Sequence, residues 1–179
     1  MQMTEAPRRL FFALWPSDDL RRHIASATES VMRESGGRAI PTQNLHATLA
    51  FVGNVSPSDL NSVMNAGAAT IAPSFTLMLD RVEPWRRSGV LVLDSSAGTP
   101  VALELLVERL RISLLEQQVK LPTEIYRLHV TLVRRLPRQY RTITTISPIE
   151  WSPQEFALVD SVTTRNGSEY KVLSRWPLA

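Results

Sequence analysis

Leu45-His46-Ala47-Thr48-Leu49 and Leu128-His129-Val130-Thr131-Leu132 are two copies of one frame, one in each half of the chain. The chain has three histidines, and two of them fall in this frame. Side chains alternate between the faces of a strand, so His and Thr share one face and the two leucines the other. Each copy thus offers an imidazole and a hydroxyl about 7 Å apart over an apolar back. Two such strands brought together would set two imidazoles and two hydroxyls around one cavity.

The surroundings of each copy read as strand, helix, strand. In the first half, Leu10 to Leu14 reads as a buried strand. Ser17 is placed to cap a helix with Asp18 and Asp19 in its first turn and Leu20, Ile24, Ala27 and Val31 on its apolar face. Gly36-Gly37 ends that helix, and Pro41 to Asn44 lead to His46. In the second half, Val90 to Leu93 reads as a strand. Thr99 is the expected cap of a helix with Pro100 at its first position, running towards Gln118. Pro122 to Arg127 then lead to His129. Ser56-Pro57-Ser58-Asp59 predicts a further helix, capped by serine and reaching Ala69. Ser74 to Val82, Phe156 to Thr164 and Tyr170 to Leu173 alternate as strands, and Asn166-Gly167 predicts a hairpin between the last two. No linker or charge block divides the sequence. The expectation is one domain over residues 1–179, made of two intertwined lobes related by a pseudo-two-fold axis. Its class is α+β, with two largely antiparallel sheets flanked by helices around a central cleft.

Composition narrows the function classes. With 44% hydrophobic and 21% charged residues in 179 positions, the chain can bury one good core. No apolar run is long enough to span a bilayer, so no membrane role is expected. The apolar start at Leu10 is too short for a signal peptide and is stopped by Pro16. Absence of cysteine removes disulfides and thiolate metal sites and fits a cytoplasmic protein. No heptad or large apolar stripe argues against a monomer. Of the 20 basic residues only Lys120 and Lys171 are lysines, and arginine presents a planar fork suited to phosphate. Arg134, Arg135, Arg138 and Arg141 follow the second frame with Tyr140 among them. A basic loop there would draw in a nucleic-acid end.

Facing histidines suit acid–base chemistry on a phosphate. A neutral imidazole takes a proton from the attacking oxygen, and an imidazolium gives one to the departing oxygen. Thr48 and Thr131 are placed to hydrogen-bond the nonbridging oxygens, although threonine is also an ordinary strand former. A zinc site is the rival use of paired histidines. It needs a third ligand, and the nearest acid is Glu124, five residues before His129, with no H-E-x-x-H spacing. No metal is therefore expected. Neither a phosphate-binding glycine loop nor a G-x-S-x-G elbow occurs. His23, between arginine-rich helix positions, reads as structural. Phe11, Phe12, Phe51 and Trp85 read mostly as core, and alternation turns Phe51 away from His46.

The paired frames resemble the two-histidine (2H) phosphoesterase superfamily and, more narrowly, the bacterial RNA 2′,3′-cyclic phosphodiesterases, also called 2′-5′ RNA ligases. The resemblance runs through Arg9 to Leu14, Asn44 to Gly53, Leu128 to Arg134 and Gly167 to Leu178. It implies a bilobal α+β fold with a positively charged cleft. It also implies hydrolysis of 2′,3′-cyclic phosphate ends of RNA, or of nucleotides, to 2′-phosphates without a metal or nucleotide cofactor. By the same resemblance His46 is the proton donor and His129 the proton acceptor. Thr48 and Thr131 hold the phosphate, Arg134 contacts the phosphate or the neighbouring ribose, and the reverse reaction forms 2′-5′ linkages. The symmetry of the frames leaves acid and base interchangeable. Two other readings stay open: an RNA-end binding module with incidental chemistry, and a 2H phosphodiesterase for another phosphoester such as 2′-5′ oligoadenylate.

Overall fold

Strand β1 (Arg8–Leu14) is buried on both faces from Leu10 onward, which is why it reads as an unbroken apolar run. Leu10, Phe12 and Leu14 enter the main core, while Phe11 and Ala13 join a smaller cluster with Ala157 and Val159 on the opposite face. A computed structural model describes residues 6–123, 125–164 and 167–179. After β1 come α1 (Asp18–Glu34), β2 (Arg38–Ala39), a 3₁₀ turn at Thr42–Asn44, β3 (Ala47–Val55) and α2 (Leu60–Ala69). Then follow β4 (Leu77–Trp85), β5 (Val90–Asp94), α3 (Val101–Glu116), β6 (Val130–Arg134), β7 (Thr144–Trp151), β8 (Glu155–Thr164) and β9 (Gly167–Pro177).

Among the described residues these strands form a four-stranded sheet, β3-β1-β8-β9, and a five-stranded sheet, β2-β6-β5-β4-β7. Neighbouring strands are antiparallel throughout. The expected repeat is therefore real in space: β1-α1-β3 and β5-α3-β6 each fold back to pair their two strands. The two sheets exchange pieces, because β2 from the first half adds to the edge beside β6. The β8–β9 hairpin completes the sheet that holds β1. Strands β3 and β6 also touch, which brings the two motif copies together.

Local chemistry explains most element ends. Ser17 caps α1 as expected, its hydroxyl accepting the Leu20 N–H at 3.2 Å. Two expected caps are corrected. Thr99 does not cap α3; Pro100 is the capping residue, and the Thr99 hydroxyl instead accepts the Leu128 N–H at 3.4 Å. Ser56 caps a preceding turn and not α2 itself: its hydroxyl accepts the Asp59 N–H at 3.3 Å and donates to the Asp59 carboxylate at 2.7 Å, and the helix starts at Leu60 with Asp59 at its cap position. Helix α3 stops at Glu116, and Gln118 takes a left-handed φ of 62° while Val119 N–H donates to Leu114 O at 2.9 Å. Asn166 of the expected hairpin lies outside the described residues; β8 and β9 pair from Thr164↔Gly167 outward. Gly37 is required by close approach, because a Cβ there would lie 2.4 Å from Val133 and 2.9 Å from the Arg134 carbonyl. That contact admits β2 beside β6. No helix among the described residues is long and apolar enough to cross a membrane.

Candidate active site

The two frames share one order of burial and the same strand start. Leu45, Ala47, Leu49 and Ala50 are buried while His46 and Thr48 are half-buried and Phe51 is exposed; Leu128 to Arg134 repeat that order position for position. The histidines sit one residue ahead of their strands, which begin at Ala47 and Val130, and not within them as the alternation predicted. Each ring is fixed by the carbonyl two residues earlier. His46 Nδ1–H donates to Asn44 O at 2.7 Å and His129 Nδ1–H to Arg127 O at 2.8 Å. This leaves Nε2 of each ring as the nitrogen available for chemistry. His46 Nε2 accepts from the Thr48 hydroxyl at 3.1 Å.

A bulge recurs at the same point of both copies. Phe12 pairs with Ala50 and Ala13 with Thr48, leaving Leu49 as an extra residue; Leu91 pairs with Val133 and Val92 with Thr131, leaving Leu132 extra. One extra residue reverses the phase of alternation beyond it. Phe51 and Arg134 therefore return to the face of the histidines. The expectation that Phe51 points away from His46 is thus corrected: it is 52% exposed and lines the same cavity. The period-two count failed because it gave the bulged leucine a face of its own.

That cavity, of about 210 Å³, is lined by His46, Thr48, His129, Thr131 and Arg134 together, with Phe51 and Tyr170 among its walls. All five residues singled out in the sequence converge on it. Larger cavities of about 670 and 880 Å³ lie elsewhere and include none of the five; exposed His23 borders the second. Arg134 lines this cavity and Arg135 the one beside it, whereas Arg138 and Arg141 line neither. Among the described residues no three His, Cys, Asp or Glu side chains gather as metal ligands, and Glu124 lies outside those residues.

The aromatic surroundings were the part sequence reasoning missed. Phe11, Trp15 and Tyr170 enclose His46, with ring centroids 4.9, 5.5 and 5.3 Å away. Arg21 stacks on Trp15 at 4.7 Å and donates through Nε to Leu45 O at 3.3 Å, bracing the chain just before the histidine. On the other side Trp85 lies 4.3 Å from His129, with Arg127 stacked 4.6 Å over it. Glu83 accepts from Trp85 Nε1 at 2.7 Å and from Arg127 at 3.0 Å, locking both in place. Of the four aromatics read as core, Phe12 alone lies in the main core.

Burial dominates the electrostatics. Loss of solvent pushes His46 down to about 4, and the charges of His129, Arg134 and Arg21 act in the same direction against the Asn44 carbonyl. His129 is lowered too, chiefly by burial, with Arg127 adding to the effect while the Arg127 carbonyl and Asp94 oppose it. Both rings are accordingly neutral near pH 7 in the free protein.

Residues 14–92, which include the first frame, match the family described as LigT like Phosphoesterase. The RNA 2′,3′-cyclic phosphodiesterase of Escherichia coli K12 is 31% identical over 96% of this chain and 97% of its own length. The protein of the same name from Thermus thermophilus is 26% identical over 95% and 90%. The crystal structure of E. coli LigT complexed with 3′-AMP superposes with a TM-score of 0.87 at 30% identity, covering 96% of this chain and 98% of that one. Two motif copies on antiparallel sheets, one shared cavity and near-complete coverage of these relatives place the chain in the family of LigT-like 2H phosphoesterases, the RNA 2′,3′-cyclic phosphodiesterases.

Proposed function

We propose that this chain hydrolyses the 2′,3′-cyclic phosphate of an RNA end or nucleotide to a 2′-phosphate, with His129 as base and His46 as acid. The observation that carries this reading is the pair of imidazoles whose Nδ1 atoms are tied to carbonyls while both rings line one cavity with both threonines. Water attacks phosphorus in line with the 3′ oxygen, and His129 Nε2 takes its proton. The bond from phosphorus to the 3′ oxygen breaks, and that oxygen receives the proton of His46 Nε2. Run backwards with a 5′-hydroxyl in place of water, the same transfers form a 2′-5′ linkage.

The acid must be charged when the substrate is bound, although His46 is neutral without it. The phosphate itself supplies the correction, since a nearby anion stabilises imidazolium. Protonation also reverses the bond to Thr48: Nε2 becomes the donor, and the threonine hydrogen is released towards a nonbridging oxygen. Arg134 and Thr131 supply donors from the opposite strand. Phe51 offers an exposed ring for the base, in keeping with an E. coli relative that holds 3′-AMP.

A second reading exchanges the two roles, and the deeper burial of His46 favours it, because the ring that resists charge more holds the neutral form that a base needs in the free protein. Adenosine 2′,3′-cyclic phosphate in excess EDTA tests the activity; the expected product is adenosine 2′-phosphate, and absence of turnover sinks the reading. A substrate with sulfur in place of the 3′ oxygen tests the roles, since thiolate leaves without an acid. His46→Ala should recover on that substrate and His129→Ala should not. Recovery of His129→Ala instead would establish the exchanged roles.

A further inference from the structure

We infer that a second anion subsite abuts the catalytic cavity and binds the phosphodiester on the 5′ side of the terminal nucleotide, making an RNA strand rather than a mononucleotide the preferred substrate. The inference rests on the cyclic phosphodiesterase reading and extends it. A cavity of about 290 Å³ shares the wall formed by Ile40, Asn44, Arg134, Ser168 and Tyr170 with the catalytic cavity. Arg38 and Arg135 line the new cavity and not the old one. Its described lining contains three arginines and no carboxylate.

Two features of the backbone converge on an anion. Arg38 and Arg134 are direct partners across the β2–β6 ladder, which places two guanidinium-bearing side chains on one wall of the cavity. Arg135 takes a left-handed φ of 54°, which an arginine adopts only at a cost. In a regular strand Arg134 and Arg135 would face opposite ways; here both line the same cavity. Strain of this kind is characteristic of ligand sites. The Arg38 guanidinium lies beside Gly167, where a Cβ would stand 3.8 Å from Nη2, so the start of β9 closes the far wall.

The geometry matches the order of groups along an RNA end. The cyclic phosphate belongs to the last ribose, and the next phosphate hangs from the 5′ oxygen of the same ribose. Two anion sites sharing Arg134 would therefore hold consecutive phosphates. Tyr170, at the junction of the cavities and edge-on to His46, supplies an aromatic surface between them. A mononucleotide without a 5′-phosphate leaves the second cavity unused.

The test compares kcat/KM for adenosine 2′,3′-cyclic phosphate with that for a pentanucleotide ending in a 2′,3′-cyclic phosphate, in the parent, Arg38→Gln and Arg135→Gln. The parent should prefer the pentanucleotide at low salt, and each variant should cut that preference about three- to tenfold and flatten its dependence on salt. Equal losses on both substrates, or no loss on either, would overturn the subsite while mononucleotide turnover by the parent keeps the hydrolase reading. A parent that turns over neither substrate overturns both. Circular dichroism and thermal melting of the two variants, whose substituted positions are exposed, show that the fold is intact.

Discussion

His46 is enclosed by three aromatic rings and braced by Arg21, whereas His129 rests on Trp85 and a network of ion pairs, although the two frames trace the same path. Both tie Nδ1 to the carbonyl two residues back, and both bulge at the leucine three residues on. Beyond the bulge they part, since the same position carries Phe51 in one copy and Arg134 in the other. The shared features fix geometry, and under the proposed function the unshared ones divide the labour. One half presents an aromatic face beside a ring that resists charge; the other presents a guanidinium beside a more open imidazole.

Removing each imidazole in turn should have the largest effect. His46→Ala and His129→Ala should each lower kcat/KM by about 10²- to 10⁴-fold, or about 3–5 kcal/mol. The double variant should lose less than the product of the two, because both groups act on one transition state. Steady-state rates on a cyclic-phosphate substrate decide it; a single variant keeping a tenth of the parent rate would show that the halves are not partners.

Next in size is an effect on stability. The unfolded chain protonates His46 as pH falls below 6.5, but the folded chain does not until about 4. The folded pKa is the lower of the two, so stability is retained above 6.5 and lost as pH falls towards 4, by up to about 3 kcal/mol. His46→Gln removes this loss. Urea midpoints of parent and variant should therefore converge, or cross, between about pH 7 and pH 4.5, and a constant gap would contradict the burial of His46. His129 should show the same sign.

The smallest effects sharpen the contrast beyond the bulges. Arg134→Gln removes a charged donor and should cost about 1.5–3 kcal/mol in kcat/KM, with kcat carrying much of it. Phe51→Ala should cost about 1 kcal/mol, mostly in KM, since loss of stacking weakens binding without touching the proton transfers. Matching kcat and KM splits for the two variants would abolish the proposed division.

Much of this site was legible in the sequence because short-range rules governed it. Ser17 capped its helix, the leucines of both frames turned inward, and all five singled-out residues met in one cavity. What escaped depended on distant partners. A bulge exists only relative to the strand opposite, so Leu49 and Leu132 look like any strand residue. Strand β2 forms because Gly37 lets the chain reach Val133, a contact no local pattern announces. Thr144–Trp151 carries Pro148 and a half-exposed pattern, so β7 gave no strand signal. The aromatic shells likewise depend on sheet order, which sets Trp15 beside His46 and Trp85 beside His129.

The placement of β1 governs when the molecule can exist during its own synthesis. It lies between β3 and β8, and β8 leaves the ribosome only after β7. Through most of translation the Leu10–Leu14 strand has one open edge, and its apolar side chains wait for Ala157, Leu158 and Val159. Such an edge is an invitation to pair with another nascent chain. Completion of this sheet then waits on contacts between segments far apart in the sequence, Leu10–Ala13 with Ala157–Asp160. Chains released before residue 155 would lack the strand that completes the core sheet and would be matter for proteases and chaperones rather than partly active enzyme.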